Sequence, residues 1–161
     1  MAIEDNVVKL LMDNNLTITT IESCTGGKIA SKLTNVSGVS QVYEKGFITY
    51  SNDAKCELVG VDKKIIEKFG VVSEQTAREM AIKGAKTAHT SVALSVTGIA
   101  GPLGGTKELP VGTVFIGCYL EGNTLVEKCQ FNGDRESIRE NAAKKALNIL
   151  QELIVKKYKI Y

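Results

Sequence analysis

Hydrophobic and polar residues recur along the chain with two different spacings, and segments of one spacing follow segments of the other. Residues 6–12 carry apolar side chains three or four positions apart, as on one face of a helix, whereas residues 16–22 carry β-branched side chains in alternation, as in a strand. Helical spacing returns at residues 26–36 and again behind Ser51. The pattern predicts four further strands, at residues 42–50, 91–98, 111–120 and 125–131.

Polar residues at helix starts fix the bounds of the two longest predicted helices. Ser73 is a suitable N-cap for a helix from Glu74 to about Ala88, and Asp134 is one for the last helix. We expect the tail from residue 156 to 161 to be a solvated end. The residues at helical spacing that should face the core are Ala77, Met80, Ala81 and Ala85 in the first helix and Ile138, Ala142, Ala146, Ile149 and Leu153 in the second.

A long loop and a hairpin complete the predicted layout. The segment from Gly98 to Pro110 holds four glycines and both prolines of the chain, which is typical of a loop, and residues 121–124 have the composition of a turn between two strands. Helices between strands require layers on both faces of a sheet, and the hairpin requires an antiparallel pair. The sequence therefore predicts an α/β fold, a three-layer α/β/α sandwich with a mixed sheet, in a single domain over residues 1–161.

Composition adds to this picture mainly by excluding partners. The chain carries 20 Lys and Arg against 18 Asp and Glu, interspersed rather than in blocks, which favours neither a nucleic acid nor a membrane as the main partner. No apolar run approaches the roughly 20 residues that span a bilayer, so we expect a cytoplasmic protein. The four cysteines lie far apart and there is one histidine, so the sequence predicts neither a disulfide framework nor a metal site.

Two glycine-bearing loops are the candidate functional segments, because ligands of open α/β sheets bind beyond the carboxyl ends of the strands. One is Ser-Cys-Thr-Gly-Gly at residues 23–27, and the other is residues 98–105. Ser23 lies where a strand gives way to a helix, and the unpaired backbone N–H groups there suit an anion or an oxyanion. The two glycines of the first loop would let its backbone approach a ligand closely. The alternative is that Ser23 or Thr25 is only a helix N-cap.

A serine nucleophile needs a base, and the sequence offers a lysine for that role. His89, the only histidine, closes a predicted helix and is interpreted as a helix-end residue. If Ser51 is the N-cap of the helix that follows it, Tyr50 and Lys55 occupy the two positions that meet in a hydrophobic staple. A desolvated lysine can act as a base near neutral pH, and a tyrosine hydroxyl can orient the proton. The alternatives are an exposed Lys55, and Cys24 as the nucleophile.

Six short motifs taken together resemble one known family. They are ESCTGG, TYSNDAK, GVVSEQTAREMA, SVTGIAGPLGG, PVGTV and GDRESIR, in the family's order, from about Thr19 to Arg139. On these residues the chain resembles the CinA C-terminal domain family, and within it the PncC-type nicotinamide-nucleotide amidohydrolases in their stand-alone form. The resemblance implies hydrolysis of the carboxamide of nicotinamide mononucleotide to nicotinic acid mononucleotide and ammonia, with no cofactor. We also expect a homo-oligomer.

The resemblance further implies catalytic roles for three residues. Ser23 stands in the nucleophile position, and Tyr50 and Lys55 stand in the matching positions of the second motif. Attack of the serine on the amide carbon would give an acyl-enzyme and ammonia, with the oxyanion held by N–H groups of the turn around residues 23–26. The other substrate-binding positions in this first loop are Cys24, Thr25, Gly26 and Gly27.

The second loop and the last helix supply the rest of the expected pocket. Thr97 is expected to donate from its hydroxyl group. Arg135 and Arg139 lie four residues apart on one helix and are assigned to the 5′-phosphate, with a solvated arginine pair as the alternative. The glycines expected to let the backbone approach the nucleotide are Gly98, Gly101, Gly104 and Gly105.

Three departures from the family pattern and a second function stay open at this point. Leu103 stands where an acidic residue is common, Leu109 replaces a common lysine, and Asn132 replaces a frequent arginine. These changes affect the expected charge of the pocket, but none of them touches the three catalytic positions. The alternative function is a ligand-binding or regulatory module, linked to DNA uptake or damage, that keeps the pocket without turnover.

Overall fold

The chain forms six α-helices and one five-stranded sheet, and the computed structural model describes all residues from Met1 to Tyr161. The helices are α1 (Ile3–Asp13), α2 (Lys28–Thr34), α3 (Asn52–Val59), α4 (Lys63–Phe69), α5 (Glu74–Ala88) and α6 (Arg135–Tyr158), with one 3₁₀ turn at Val39–Gln41. The strands are β1 (Ile18–Glu22), β2 (Phe47–Ile48), β3 (Val92–Gly98), β4 (Thr113–Leu120) and β5 (Asn123–Gln130).

The sheet is mixed and has the order β2-β1-β3-β4-β5. Strands β2, β1 and β3 are parallel, whereas β4 runs antiparallel to β3 and forms a hairpin with β5. The hairpin turn is Glu121-Gly122, with φ values of 44° and 92°, as the right-handed twist of two-residue hairpins requires. Every residue of β1, which lies between β2 and β3, is buried, because helices cover both faces of the sheet.

Helices lie on both faces of the sheet. Helices α1, α2 and α6 pack on one face, and α5, with α3 and α4 against it, packs on the other. The larger hydrophobic core, of 25 buried residues, lies under α1, α2 and α6, and a smaller one of seven lies under α5. The prediction of a single-domain, three-layer α/β/α sandwich with a mixed sheet is confirmed. No helix combines the length and the apolar composition needed to cross a membrane.

The predicted caps and core faces of the helices are confirmed. The side chains of Ser51, Ser73 and Asp134 each accept a hydrogen bond from the backbone N–H three residues further on, as N-caps do. The predicted inward-facing residues of α5 and α6 are buried, except that Leu153 is half-buried against the larger core.

Three predicted elements differ from the structure. The strand expected over residues 42–50 is reduced to Phe47–Ile48 and a single bridge between Tyr43 and Ile18, since the Tyr43 side chain turns inward and its hydroxyl lies 2.8 Å from the Thr20 hydroxyl. Helix α4 covers a segment that carried no prediction, because its short amphipathic pattern spans only two turns. The tail is mostly exposed, as predicted, but its first three residues continue helix α6.

Helix α6 extends into the predicted tail, as far as Tyr158, because the hairpin turn anchors its last turn. The Glu121 carboxylate accepts hydrogen bonds from Lys157 Nζ at 2.8 Å and from the Tyr158 hydroxyl at 2.5 Å. These two contacts hold the pKa of Glu121 below its usual range. The residues joined by these two contacts lie 36 and 37 positions apart in the chain. Local periodicity does not depend on such distant residues, so the sequence pattern could not have predicted the contacts.

Parallel pairing brings three strand ends to one edge of the sheet. Strands β1, β2 and β3 end at Glu22, Ile48 and Gly98, and two backbone bonds tie the segments that follow. Ser23 N–H donates to Val96 O at 3.0 Å, and Thr49 N–H donates to Glu22 O at 2.8 Å. The loops that the sequence analysis selected therefore meet at the carboxyl edge of the sheet.

Helix α5 approaches the sheet closely at a glycine, which gives a stability prediction. A Cβ atom on Gly84 would lie 2.3 Å from Cδ1 and 2.4 Å from Cγ1 of Ile21. Alanine normally stabilises a helix interior by about 0.5–1 kcal/mol relative to glycine, but we expect Gly84→Ala to lower the free energy of unfolding by about 1–3 kcal/mol, because the overpacking outweighs that gain.

Urea denaturation of Gly84→Ala, Ile21→Val and the double variant measures this effect. The double variant should be less destabilised than the sum of the two single changes, since valine lacks the Cδ1 atom that the new methyl group meets. A more stable Gly84→Ala protein would contradict the packing argument.

Candidate active site

A cavity of about 260 Å³ lies at the carboxyl edge of the sheet, between the loops that follow β1, β2 and β3 and the start of α6. Nine of the predicted site residues line it: Ser23, Cys24, Tyr50, Lys55, Thr97, Gly98, Gly101, Gly104 and Arg135. Five others do not reach the cavity: Thr25, Gly26, Gly27, Gly105 and Arg139. The two glycine-bearing loops and helix α3, which carries Lys55, thus contribute to one cavity.

Ser23 directly follows β1, and its position is fixed from both sides. Its N–H group is held by Val96 on the neighbouring strand, and its side chain is nearly buried, with 9% exposed, in the cavity wall. The Ser23 hydroxyl caps no helix, because the N-cap of α2 is Gly27. The interpretation of Ser23 as a mere N-cap is therefore wrong.

The two glycines after Ser23 have a backbone role. Gly26 and Gly27 have φ values of 54° and 103° and form the centre of a turn in which Lys28 N–H donates to Thr25 O at 3.1 Å. Such a turn, with two positive φ values, strongly favours glycine. A Cβ atom on Gly26 would also lie 3.0 Å from Nη2 of Arg139. The group that approaches the Gly26 backbone is an arginine of the protein, not a ligand in the cavity.

Glu22, which the sequence analysis did not single out, occupies the start of α2. Its side chain is fully buried, and its two carboxylate oxygens accept hydrogen bonds from Ile29 N–H at 2.9 Å and Ala30 N–H at 3.0 Å. An internal carboxylate thus fills the position where a helix N-terminus would otherwise hold an anion. The acidic residue before Ser23, seven positions ahead of the helix amides, was the available signal.

Lys55 is a fully buried lysine whose amine meets the Ser23 hydroxyl. The N-cap Ser51 starts α3 so that Lys55 lies one turn inside the helix, and Nζ lies 3.2 Å from Ser23 Oγ. The amine also donates to Thr49 O at 2.7 Å and lies 3.5 Å from Ser51 O. No carboxylate lies within ion-pair distance of it. The alternative of an exposed Lys55 is wrong.

Burial lowers the pKa of Lys55 from 10.5 to about 8, with small opposing effects from the nearby Cys24 and Cys56 thiols. A neutral amine keeps two N–H groups, which match the two carbonyl oxygens beside it, and its lone pair is then free to accept the Ser23 O–H. With a pKa of about 8, Lys55 becomes neutral around pH 8 instead of above pH 10, and its surroundings suit this neutral, basic form.

Cys24 is a poor competitor for the nucleophile role. Burial raises the pKa of its thiol to about 11, against the lowering effects of its own backbone N–H and of Arg139. A thiol is reactive as the thiolate, so a raised pKa leaves little nucleophile near neutral pH. The geometry favours Ser23 over the neighbouring thiol.

Two backbone amides next to Ser23 have no acceptor. Ser23 N–H donates to Val96 O, and Gly26 N–H donates to Ser23 O at 3.0 Å. The N–H groups of Cys24 and Thr25 donate to no carbonyl oxygen of the protein. Unpaired N–H groups at the start of a turn suit a negative oxygen. Of these two residues only Cys24 lines the cavity, since Thr25 is fully buried, so the Cys24 N–H group is the remaining candidate among the oxyanion donors expected in this turn.

The second glycine-rich segment forms the opposite wall, but several of its groups are already engaged. The Thr97 hydroxyl donates to Val71 O at 2.9 Å, so it is not free to donate to a ligand. A Cβ atom on Gly101 would lie 2.4 Å from Val111 Cγ1, and one on Gly98 would lie 2.8 Å from Thr113 O. Close packing within the protein accounts for these glycines.

Arg135 joins the two walls at the mouth of the cavity. Its Nη1 donates to Gly101 O at 2.7 Å, and its Nη2 donates to the Tyr50 hydroxyl at 3.0 Å. Tyr50 is 61% exposed and bonds neither Ser23 nor Lys55. The expected burial of Lys55 by Tyr50, and a proton relay through its hydroxyl, therefore do not match the geometry.

Arg139 does not point into the cavity. Its Nε donates to Cys24 O at 2.8 Å and its Nη2 donates to Thr25 O at 3.2 Å. The assignment of both arginines to a phosphate is thus supported by position for Arg135 alone. The alternative of a solvated pair holds for Arg135, which is exposed, but not for Arg139, which is half-buried.

Further residues complete the description of the site. Asn52, Val71 and Val72 also line the cavity. No chemical signal in the sequence pointed to them, because Asn52 is the first residue of α3 and the two valines lie in the loop before α5. Of the three departures from the family pattern, only Leu103 reaches the cavity, where it is 85% exposed. His89 is the C-cap of α5, as predicted, and does not line the cavity.

Comparison with known proteins identifies close relatives. A sequence profile described as the CinA C-terminal domain matches residues 1–154. A protein of Clostridium beijerinckii, named as competence-damage inducible, is 53% identical over 154 residues, which cover 96% of this chain and 38% of the relative. A CinA-like protein of Kosmotoga olearia is also 53% identical over 154 residues, which cover 96% of this chain and 37% of the relative. The chain thus spans little more than a third of these relatives.

Solved structures share the whole fold. The competence/damage inducible protein CihA of Agrobacterium tumefaciens is 40% identical and superposes with a TM-score of 0.88, covering 94% of each chain. The competence or damage-inducible protein of Enterobacter asburiae is 32% identical and has a TM-score of 0.91, covering 94% of this chain and 96% of the other.

The buried amine of Lys55 predicts a distinctive dependence of stability on pH. Lysine keeps a pKa near 10.5 in the unfolded chain but has one of about 8 in the folded protein, so between these values the unfolded state binds more protons and stability rises with pH. Relative to Lys55→Met, the wild-type protein should gain up to about 3 kcal/mol from pH 7.5 to pH 10.5.

Urea denaturation of both proteins across this pH range measures the gain. Every other titrating group is common to the two proteins, so its contribution cancels in the difference. A constant difference would mean that the folded-state pKa of Lys55 is not lowered.

Proposed function

The chain belongs to the CinA C-terminal domain family, and we propose that it hydrolyses the carboxamide of nicotinamide mononucleotide, with Ser23 as the nucleophile and Lys55 as its base. The observation that carries the proposal is the buried Lys55 amine, 3.2 Å from Ser23 Oγ in the wall of the cavity and without a carboxylate partner. A lysine buried beside a serine hydroxyl has the arrangement of a nucleophile and its base.

The first half of the proposed reaction forms an acyl-enzyme. Ser23 Oγ bonds to the amide carbon while its proton moves to Lys55 Nζ, and the carbonyl oxygen becomes an oxyanion beside the Cys24 N–H group. The C–N bond then breaks, and the leaving nitrogen takes the proton from Lys55 and departs as ammonia. The ester on Ser23 and a neutral Lys55 remain.

The second half releases the acid. Water attacks the ester carbon and gives its proton to Lys55, and a second oxyanion forms at the same amide. Collapse of this intermediate breaks the bond to Ser23 Oγ, which takes the proton back from Lys55. The product is the carboxylic acid of the pyridine nucleotide.

Arg135 is the group that supports an anionic nucleotide as the substrate. It lies at the cavity mouth with two N–H groups engaged by Gly101 and Tyr50, and a guanidinium group has five, so others remain for a phosphate. Val71 and Val72 give the opposite side of the cavity an apolar surface that suits a pyridine ring.

The second candidate is a regulatory module without turnover, which the names of the relatives favour because they describe competence and damage induction. Incubation of the purified protein with nicotinamide mononucleotide, with and without a metal chelator, decides between the two. We expect ammonia release in both conditions, because every proposed step uses a group of the protein. Binding without ammonia release would support the regulatory module.

Removal of the nucleophile is the first kinetic prediction. Ser23→Ala should lower kcat by more than about a hundredfold, because no other group can form the acyl-enzyme. The melting temperature should change little, since the Ser23 hydroxyl caps no helix. Cys24→Ala, which keeps the backbone amide, should retain more than about a tenth of the wild-type rate. Loss of activity in Cys24→Ala with a near-normal Ser23→Ala would make the thiol the nucleophile.

A second kinetic prediction separates a base from a positive charge. Lys55→Arg should be nearly inactive, because arginine keeps the charge but cannot give up its proton in a protein. For the wild type, kcat/KM should rise with pH through an apparent pKa near 8, since the neutral Lys55 is the active form. A Lys55→Arg variant with a raised KM and a kcat within about tenfold of wild type would instead make Lys55 an anchor for the substrate.

A further inference from the structure

Arg139 holds two successive carbonyl groups of the nucleophile loop. Its Nε donates to Cys24 O at 2.8 Å, and its Nη2 donates to Thr25 O at 3.2 Å. The residue comes from the second turn of α6, 114 and 115 positions along the chain from the groups that it binds. It forms no ion pair with any carboxylate. The guanidinium group is therefore directed at the backbone of this loop.

The held carbonyl fixes where the neighbouring amide points. In a trans peptide the C=O of one residue and the N–H of the next lie in one plane and point in opposite directions. Because Cys24 O points at Arg139, the N–H of Thr25 points away from Arg139, and this N–H has no acceptor in the protein. A rotated peptide would bring a carbonyl oxygen to the place of that donor.

The second contact of Arg139 acts on the following peptide in the same way. Thr25 O is held by Nη2, and the N–H group of the same peptide, on Gly26, donates to Ser23 O at 3.0 Å. The Ser23 carbonyl belongs in turn to the peptide of the Cys24 N–H, the other amide without an acceptor. The directions of both free N–H groups, those of Cys24 and Thr25, are thus fixed by a series of hydrogen bonds that begins at Arg139.

The charge of Arg139 adds to this geometric effect. A cation on a carbonyl oxygen polarises the peptide and makes its N–H a stronger donor. Lysine would not replace it, because a single ammonium group does not match two carbonyls as a planar fork does. Gly26 leaves the space for that fork, since a Cβ atom there would lie 3.0 Å from Nη2.

From these contacts we propose that Arg139 is a positioning residue that holds the nucleophile loop so that the Cys24 N–H group, the one of the two free amides whose residue lines the cavity, is oriented as an oxyanion-hole donor for Ser23. The proposal rests on the serine hydrolase chemistry proposed above. Arg139 touches no substrate in this role, because it does not line the cavity, and in that it differs from Arg135 one turn earlier on the same helix.

The test compares the two arginines by kinetics. We would measure kcat, KM and the melting temperature for Arg139→Gln, Arg139→Lys, Arg135→Gln and, as a control, Lys144→Gln, which changes an exposed residue of α6. Arg139→Gln should lower kcat by more than about tenfold and change KM by less than about threefold, because only the transition state carries the oxyanion. Arg139→Lys should fall between Arg139→Gln and wild type, Arg135→Gln should mainly raise KM, and Lys144→Gln should match wild type.

Other outcomes would overturn the proposal. A raised KM with normal kcat in Arg139→Gln would make Arg139 a substrate anchor, and unchanged constants would leave it without a role in the reaction. If both Arg139 variants lose kcat only because they unfold at the assay temperature, Arg139 contributes to folding stability and not to the orientation of the amide.

A second assay separates this proposal from the choice of substrate. Acylation of Ser23 by p-nitrophenyl acetate passes through the same kind of oxyanion but needs no nucleotide, and intact mass with Ser23→Ala as the blank identifies the site. If the nucleotide releases no ammonia but the ester acylates Ser23, the proposed substrate is wrong, and a rate of acylation lowered more than about tenfold in Arg139→Gln still supports the positioning role. If Ser23 reacts in neither assay, both proposals are wrong.

Discussion

The arrangement of the site depends on one constraint, which is the burial of the Lys55 amine without a counter-charge. An ammonium group in this place would lack the hydration that stabilises it and would have no carboxylate to replace that hydration. The protein offers two carbonyl oxygens and one hydroxyl, which together suit a neutral amine with two N–H groups and a lone pair. The burial that costs stability when Lys55 is charged is thus the same burial that favours the neutral, proton-accepting form of Nζ next to Ser23 Oγ.

The nucleophile loop is organised so that only a few of its polar groups are left free. Glu22 takes the amides at the start of α2, and Arg139 takes the carbonyls of Cys24 and Thr25. Two charged side chains of opposite sign therefore hold the two ends of one short turn. The amides that remain unpaired are those next to Ser23, so the anion-binding capacity of this strand-to-helix joint is concentrated at the reacting atom and not at the helix terminus.

The second wall and the last helix serve the site from a distance in sequence. Helix α6 reaches the cavity with its first turns, where Arg135 joins Gly101 to Tyr50, while its last turn is anchored to the hairpin by Glu121. A long helix held at both ends can keep its arginines at fixed positions against two loops that have little regular structure of their own. This accounts for two residues on one helix face having different roles, one toward the cavity and one toward the backbone.

The sequence by itself determined the layers, most element bounds and the chemistry-bearing positions, because these follow from local periodicity, capping residues and short motifs. The caps at Ser51, Ser73 and Asp134 belong to this part, whereas the pairing of Lys55 with Ser23 was only an expectation, with an exposed lysine as the alternative. Only the tertiary structure decided what each polar group is bonded to. Glu22 filling the start of α2 and Arg139 holding the loop carbonyls required partners that are seven and more than a hundred residues away. Whether a polar group is free to bind a ligand depends on whether another part of the folded chain already forms a hydrogen bond with it. Local sequence patterns do not contain that information, because the partners are distant in the chain.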